Sequence, residues 1–143
     1  MGRWHPRGCR QDPSRGAVSA GVTLDAGGLI ALDRDNRRVV VLLARAAQTR
    51  ARVTAPAGAL AQAIRSPARQ VRLARLLRIP TTDVVALDRL DATGVGRLLA
   101  VSPTSDVVDA HVVLCARRAR QAIVTSDPDD LRTLDDAVGL VVV

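Results

Sequence analysis

The stretch SDVVDAHVVLC, from Ser105 to Cys115, carries two carboxylates, Asp106 and Asp109, three residues apart in an otherwise apolar run. On a helix that spacing sets both on one face, one turn apart. An acid in the first helical turn complements the helix dipole, which accounts for Asp106. Asp109 lies deeper in the run, where an unpaired buried carboxylate is costly, so it calls for a partner or a cation. Two further acids close short apolar runs: Asp25 ends GVTLD and Asp127 ends AIVTSD. If both runs are strands of one parallel sheet, both acids stand at its carboxyl edge, where open α/β sheets place their functional crevice. A helix that begins on the same edge would add Asp109. Three gathered carboxylates repel one another, favour protonation and are relieved by an oxygen-preferring divalent cation, so Mg2+ is the expected ion, with Mn2+ an alternative. Such an ion polarises a phosphoryl oxygen and acidifies an attacking water, which makes metal-dependent phosphodiester hydrolysis the expected chemistry.

The elements that must position these acids can be read from the same chain. Its 143 residues fit one domain, and the absence of Phe and Tyr makes the expected core aliphatic. Every basic residue is Arg and every acid is Asp, with a formal net charge of +7, a positive field that attracts phosphates and nucleic acid. Cys9 and Cys115 offer no disulfide framework, CxxC motif or Cys/His ligand spacing, which points to a reducing compartment. With no secretory signal and no apolar run long enough to span a bilayer, a cytoplasmic, non-membrane protein is expected.

Residues 1–20, rich in Arg, Gly, Pro and Ser without periodicity, are expected to be a flexible basic tail, leaving 21–143 as one domain. GVTLD, RVTAP, TDVVALD, AIVTSD and VGLVVV are strand candidates. Helices are expected between them, among them PAGALAQAIR opened by Pro56, and Ser66 to Arg78 capped by Ser66 with an apolar stripe at Val71, Ala74 and Leu77. The alternation predicts a three-layer α/β/α domain around a mainly parallel sheet of four to five strands.

Other features carry less. Asp106, Asp129 and Asp130 are outer-shell candidates for the acid cluster, with capping preferred for Asp106 and Asp129. TGVGRLL, from Thr93 to Leu99, reads as a glycine-containing turn before a helix rather than a phosphate loop. His111 lies about 200° round the helix from Asp109, so it is assigned to the surface or core and not to the metal. The arginines at 69, 72, 75 and 78 form a basic helix face, a solvated surface by default. If the protein is a nuclease, Arg69, Arg72 and Arg75 become RNA-backbone contacts.

From Val22 to Val143 the chain resembles a PIN domain and is similar to the VapC ribonuclease toxins of bacterial VapBC toxin–antitoxin pairs. The segments carrying the resemblance are LDAGGLIAL, SDVVDAHVVLCAR and IVTSDPDDL, which match the family's acids to Asp25, Asp109 and Asp127. The family's second acid falls on Gln62, and no Asp or Glu occurs from Asn36 to Thr82 to replace it. Gln62 keeps an oxygen that can bond a metal-bound water but adds no charge and cannot serve as a base. The resemblance implies a Mg2+-dependent endoribonuclease with an RNA substrate, a cognate antitoxin and a homodimer. The alternative expectation keeps the fold without the catalysis, as a module binding an antitoxin or RNA. A small-molecule-binding α/β domain is the third.

Overall fold

The computed structural model describes residues 20–143, so the expectation for the basic tail lies outside the described residues except at Ala20. Five short runs of branched residues become strands: β1 (Val22–Leu24), β2 (Val53–Pro56), β3 (Thr82–Val85), β4 (Ala122–Thr125) and β5 (Leu140–Val142). All pairings are parallel, in the order β3-β2-β1-β4-β5. Every residue of β1 and β2 is buried, as expected where helices cover both faces of a parallel sheet. At the amino-terminal end of the sheet, the buried Thr23 hydroxyl donates to Gln121 Oε1 at 2.8 Å while Gln121 Nε2 donates to the Arg52 carbonyl at 3.1 Å. These bonds join β1 to the segments entering β4 and β2.

Seven α-helices connect the strands: α1 (Ala26–Asp33), α2 (Arg37–Gln48), α3 (Ala57–Ala63), α4 (Val71–Arg78), α5 (Arg89–Ala100), α6 (Val107–Ala119) and α7 (Pro128–Leu134). α1 packs on α3 and α4, whereas α6 packs on α5 and α7 and lies over β1, β2 and β4. Right-handed crossovers in a sheet of this order put the helices on both faces, compatible with an α/β/α arrangement. The core is aliphatic, with Leu24, Leu29, Val39, Val112, Val113, Ile123 and Val124 at 0 % exposure. No helix among the described residues is long and apolar enough to cross a membrane.

Three local expectations need correction. The segment after Ser66 is a 3-10 turn at Pro67–Arg69 before α4, and Ser66 makes no capping bond. The interruption follows from Gln70, which is buried: its Oε1 accepts from the backbone of Arg65 and Ser66, and its Nε2 donates to the Ala63 carbonyl. The buried stripe of α4 is Leu73 and Leu76 instead of Val71 and Leu77, which are exposed, and Ala74 is half-buried. Leucines spaced by three also share a face and bury more apolar area than alanine. Finally, α5 starts at Arg89 and runs through TGVGRLL without a turn. Gly94 there reflects packing, because a Cβ on it would lie 3.1 Å from Leu114 of α6.

Candidate metal centre

β1 and β4 are neighbours at the point where strand order reverses, and in open α/β sheets the crevice at that point is the usual ligand site. Leu24 pairs with Val124, which brings the residues following β1 and β4 side by side. Asp25 is buried at the amino-terminal cap of α1, where its Oδ1 accepts from the Gly28 amide at 2.7 Å. The close approach of α1 to β4 requires the glycines of AGG: a Cβ on Gly28 would lie 2.5 Å from the Val124 carbonyl oxygen, and one on Gly27 would lie 2.2 Å from Ser126 Oγ.

Asp127 stands at the start of α7, exposed, and makes no side-chain capping bond; its amide donates to Thr125 Oγ1 at 3.0 Å. Asp106 caps α6, accepting from the Asp109 amide at 2.9 Å, as expected for the first acid of that pair. The Asp109 side chain is half-buried and no hydrogen bond is formed by its carboxylate, so its charge is met neither by a donor nor by full solvation.

The electrostatics report convergence. Burial pushes the Asp109 carboxyl up to about 6, assisted by the charges of Asp106, Asp25, Asp130 and Asp127. Asp25 is also raised, by burial first and then by Asp127, against hydrogen bonds from Thr125, Gly28 and Gly27 that favour its ionised form. The three acids therefore feel one another, but they are not drawn into a closed coordination set. Among the described residues, the group whose ligand atoms all lie within 4.8 Å of one another is a different one.

Of the outer candidates, Asp130 bears on Asp109, whereas Asp129 is exposed, pairs with Arg132 at 3.3 Å and caps no helix. Gln62 is exposed near the end of α3 and forms no hydrogen bond to the carboxylates. It lies one turn beyond Gly58, whose α-carbon faces Val108, the neighbour of Asp109 on α6. The arginines at 69, 72, 75 and 78 are exposed, and Arg72 pairs with Asp35 at 3.1 Å.

Sequence reasoning missed a second cluster. Asp91 of α5 and His111 and Cys115 of α6 are all buried, and together they could hold a metal ion. His111 Nε2 lies 2.8 Å from Asp91 Oδ2 and 3.5 Å from Cys115 Sγ. Arg118 donates to both Asp91 oxygens, at 2.8 and 2.9 Å, and holds that carboxyl well below the usual carboxylate range. His111 is thus a core histidine, but the expectation that no Cys/His ligand spacing occurs is corrected. HVVLC supplies a His and a Cys four residues apart on one helix face, and the third donor comes from another helix. That spacing was the available signal; Asp91 gave none, because it reads as an ordinary first-turn acid.

No protein-family model matches the chain, and no curated protein matches it.

Proposed function

We propose that the chain is a metal-dependent endoribonuclease of the PIN type, acting as the toxin of a toxin–antitoxin pair. The observation that carries this reading is the Asp109 carboxylate, half-buried and without a hydrogen bond, facing the charges of Asp25, Asp127, Asp106 and Asp130 at the carboxyl edge of the sheet. A carboxylate set of this kind suits a hard, oxygen-preferring ion, so Asp25, Asp109 and Asp127 would hold Mg2+ or Mn2+. Once bound, the ion would supply Lewis acidity toward a phosphodiester and a more acidic water. The chain's own residues have distinct parts. Hydrogen bonds from Thr125 and the amides of Gly27 and Gly28 oppose the effect of burial on the Asp25 carboxylate and orient it. Asp106, tied to the amide of Asp109, fixes the first turn of α6. The net charge of +7 and the exposed Arg69 and Arg75 favour a polyanionic substrate. The exposed apolar side chains of Leu90 in α5 and of Val101 at its carboxyl-terminal cap are available to an antitoxin or a second copy.

A second reading, a PIN-type module that binds antitoxin or RNA without cutting, is favoured by Gln62, which brings no charge to the crevice, and by the absence of a closed ligand set there. Incubating purified protein with RNA in Mg2+ and in chelator separates the two. Mg2+-dependent cleavage, lost in Asp109→Asn, is the expected result; retarded but intact RNA would leave the binding module.

A further inference from the structure

We propose that Asp91, His111 and Cys115 form a second cation site, specific for a thiophilic divalent ion such as Zn2+, and that Arg118 is the counter-cation this ion displaces. Zn2+ bonds of roughly 2.0–2.3 Å at a tetrahedral angle set donor atoms about 3.3–3.5 Å apart. Cys115 Sγ and His111 Nε2 already stand 3.5 Å apart, and the 2.8 Å between His111 Nε2 and Asp91 Oδ2 needs to open by only a fraction of an ångström. The donors sit on rigid elements: His111 and Cys115 are one turn apart on α6, and Asp91 is on α5, anchored by its amide to Asp88 Oδ1 at 2.8 Å. Carboxylate, imidazole and thiolate in one buried set select Zn2+ over Mg2+, the reverse of the all-carboxylate crevice.

The arrangement around the donors fits an exchange of cations. Arg118 spans Asp91 and Cys115, at 3.9 Å from Sγ, but half of its side chain is exposed, so it can swing into solvent. An open groove of about 550 Å³, lined in part by Asp83, Asp88, Asp91, Cys115 and Arg118, reaches two of the three donors, Asp91 and Cys115, and gives an ion a route to the set from solvent. His111 Nδ1 is buried with no hydrogen-bond partner, so an ion on Nε2 would replace the bond to Asp91 while the ring proton moves to Nδ1. Charge balances on both sides of the exchange. Asp91 with Arg118 is neutral, and Zn2+ with the Asp91 carboxylate and a Cys115 thiolate is neutral. The Cys115 thiol, which burial pushes up to about 11 in the free protein, gives up its proton to solvent on binding. The bound ion would tie α5 to the face of α6 opposite Asp109.

The test uses Co2+ as a spectroscopic probe, on the full chain carrying Cys9→Ser, with excess Mg2+ present to fill the acidic crevice. The expected result is a near-ultraviolet sulfur-to-cobalt charge-transfer band that Zn2+ removes and Asp25→Asn leaves intact. Cys115→Ser should weaken binding by more than about 100-fold, beyond what loss of an outer-shell partner produces. Arg118→Gln should tighten it several-fold by removing the competing cation. A band surviving Cys115→Ser, or no band even in Arg118→Gln, would overturn the proposal and leave a structural ion pair. Should Cys115→Ser fail to fold, X-ray absorption at the zinc edge of the Zn2+-loaded Cys9→Ser chain decides: one sulfur scatterer supports the site, and oxygen and nitrogen alone refute it. None of these readouts depends on ribonuclease activity.

Discussion

Asp109→Asn should make the metal-free protein more stable, the opposite of the usual effect of altering a half-buried residue. Burial and the surrounding aspartates push this carboxyl up to about 6 in the folded chain, against 3.8 for the unperturbed group. An acid that is harder to ionise in the folded state binds more protons there than in the unfolded chain, so stability falls as pH rises through that interval. The cost at neutral pH is roughly 3 kcal/mol if the whole shift is counted, and solvent screening of a partly exposed group reduces it to about 1–2 kcal/mol. Asparagine keeps the shape and removes the charge, so at pH 7 in chelator Asp109→Asn should melt about 3–8 °C above the parent. Toward pH 4 the difference should shrink to a fraction of its value at pH 7, because Asp109 is then protonated in the folded chain and near its midpoint in the unfolded one. Mg2+ should reverse the order, stabilising the parent more than the variant. Thermal unfolding between pH 4 and 7.5, with chelator and with Mg2+, measures all three. A variant that is equally or less stable at pH 7 in chelator would refute the account of a repelling acid cluster.

Gly28→Ala, which sets a methyl group 2.5 Å from the Val124 carbonyl, should destabilise by about 1–3 kcal/mol in chemical denaturation, as overpacking does. Asp91→Ala strips the buried His111 of its partner and should cost about 3 kcal/mol, the low end for a broken buried pair because Arg118 can turn to solvent. Gln62→Glu, on the turn of α3 beyond Gly58, should tighten Mg2+ binding and raise or create ribonuclease activity, while lowering stability in chelator through added repulsion. Equal Mg2+ affinity would place residue 62 outside the crevice.

The five strands were legible because short runs of Val, Ile and Thr bounded by Asp, Pro or Gly have few other uses in a chain whose charged residues are all Arg and Asp. Asp25, Asp127 and Asp109 were legible as a set because strand ends and the first turn of a following helix share one edge of a parallel sheet. The capping role of Asp106 followed from its place ahead of an apolar run, and the structure bears it out. Asp129 was also expected to cap, but the helix begins at Pro128, which puts Asp129 two residues past the cap position and inside the first turn. The failures share a cause. Gln70 breaks the helix through contacts to Arg65, Ser66 and Ala63 that no periodicity encodes, and Gly94 serves the approach of α6 instead of a turn. The Asp91, His111, Cys115 and Arg118 cluster depends on how α5 docks on α6, and only its α6 half is written as a helical spacing.

The most direct test of the proposed function is RNA cleavage measured across a Mg2+ titration for the parent chain, Asp25→Asn and Asp109→Asn side by side. Asparagine can keep the amino-terminal cap of α1, so Asp25→Asn tests charge at the crevice and not the fold. In the parent chain the cleavage rate should rise with Mg2+ and saturate. In each variant most of the activity should be lost, and the remainder should require higher Mg2+. Cleavage by the parent that is indifferent to Mg2+, or unchanged in both variants, would contradict the assignment of this crevice as the site of chemistry.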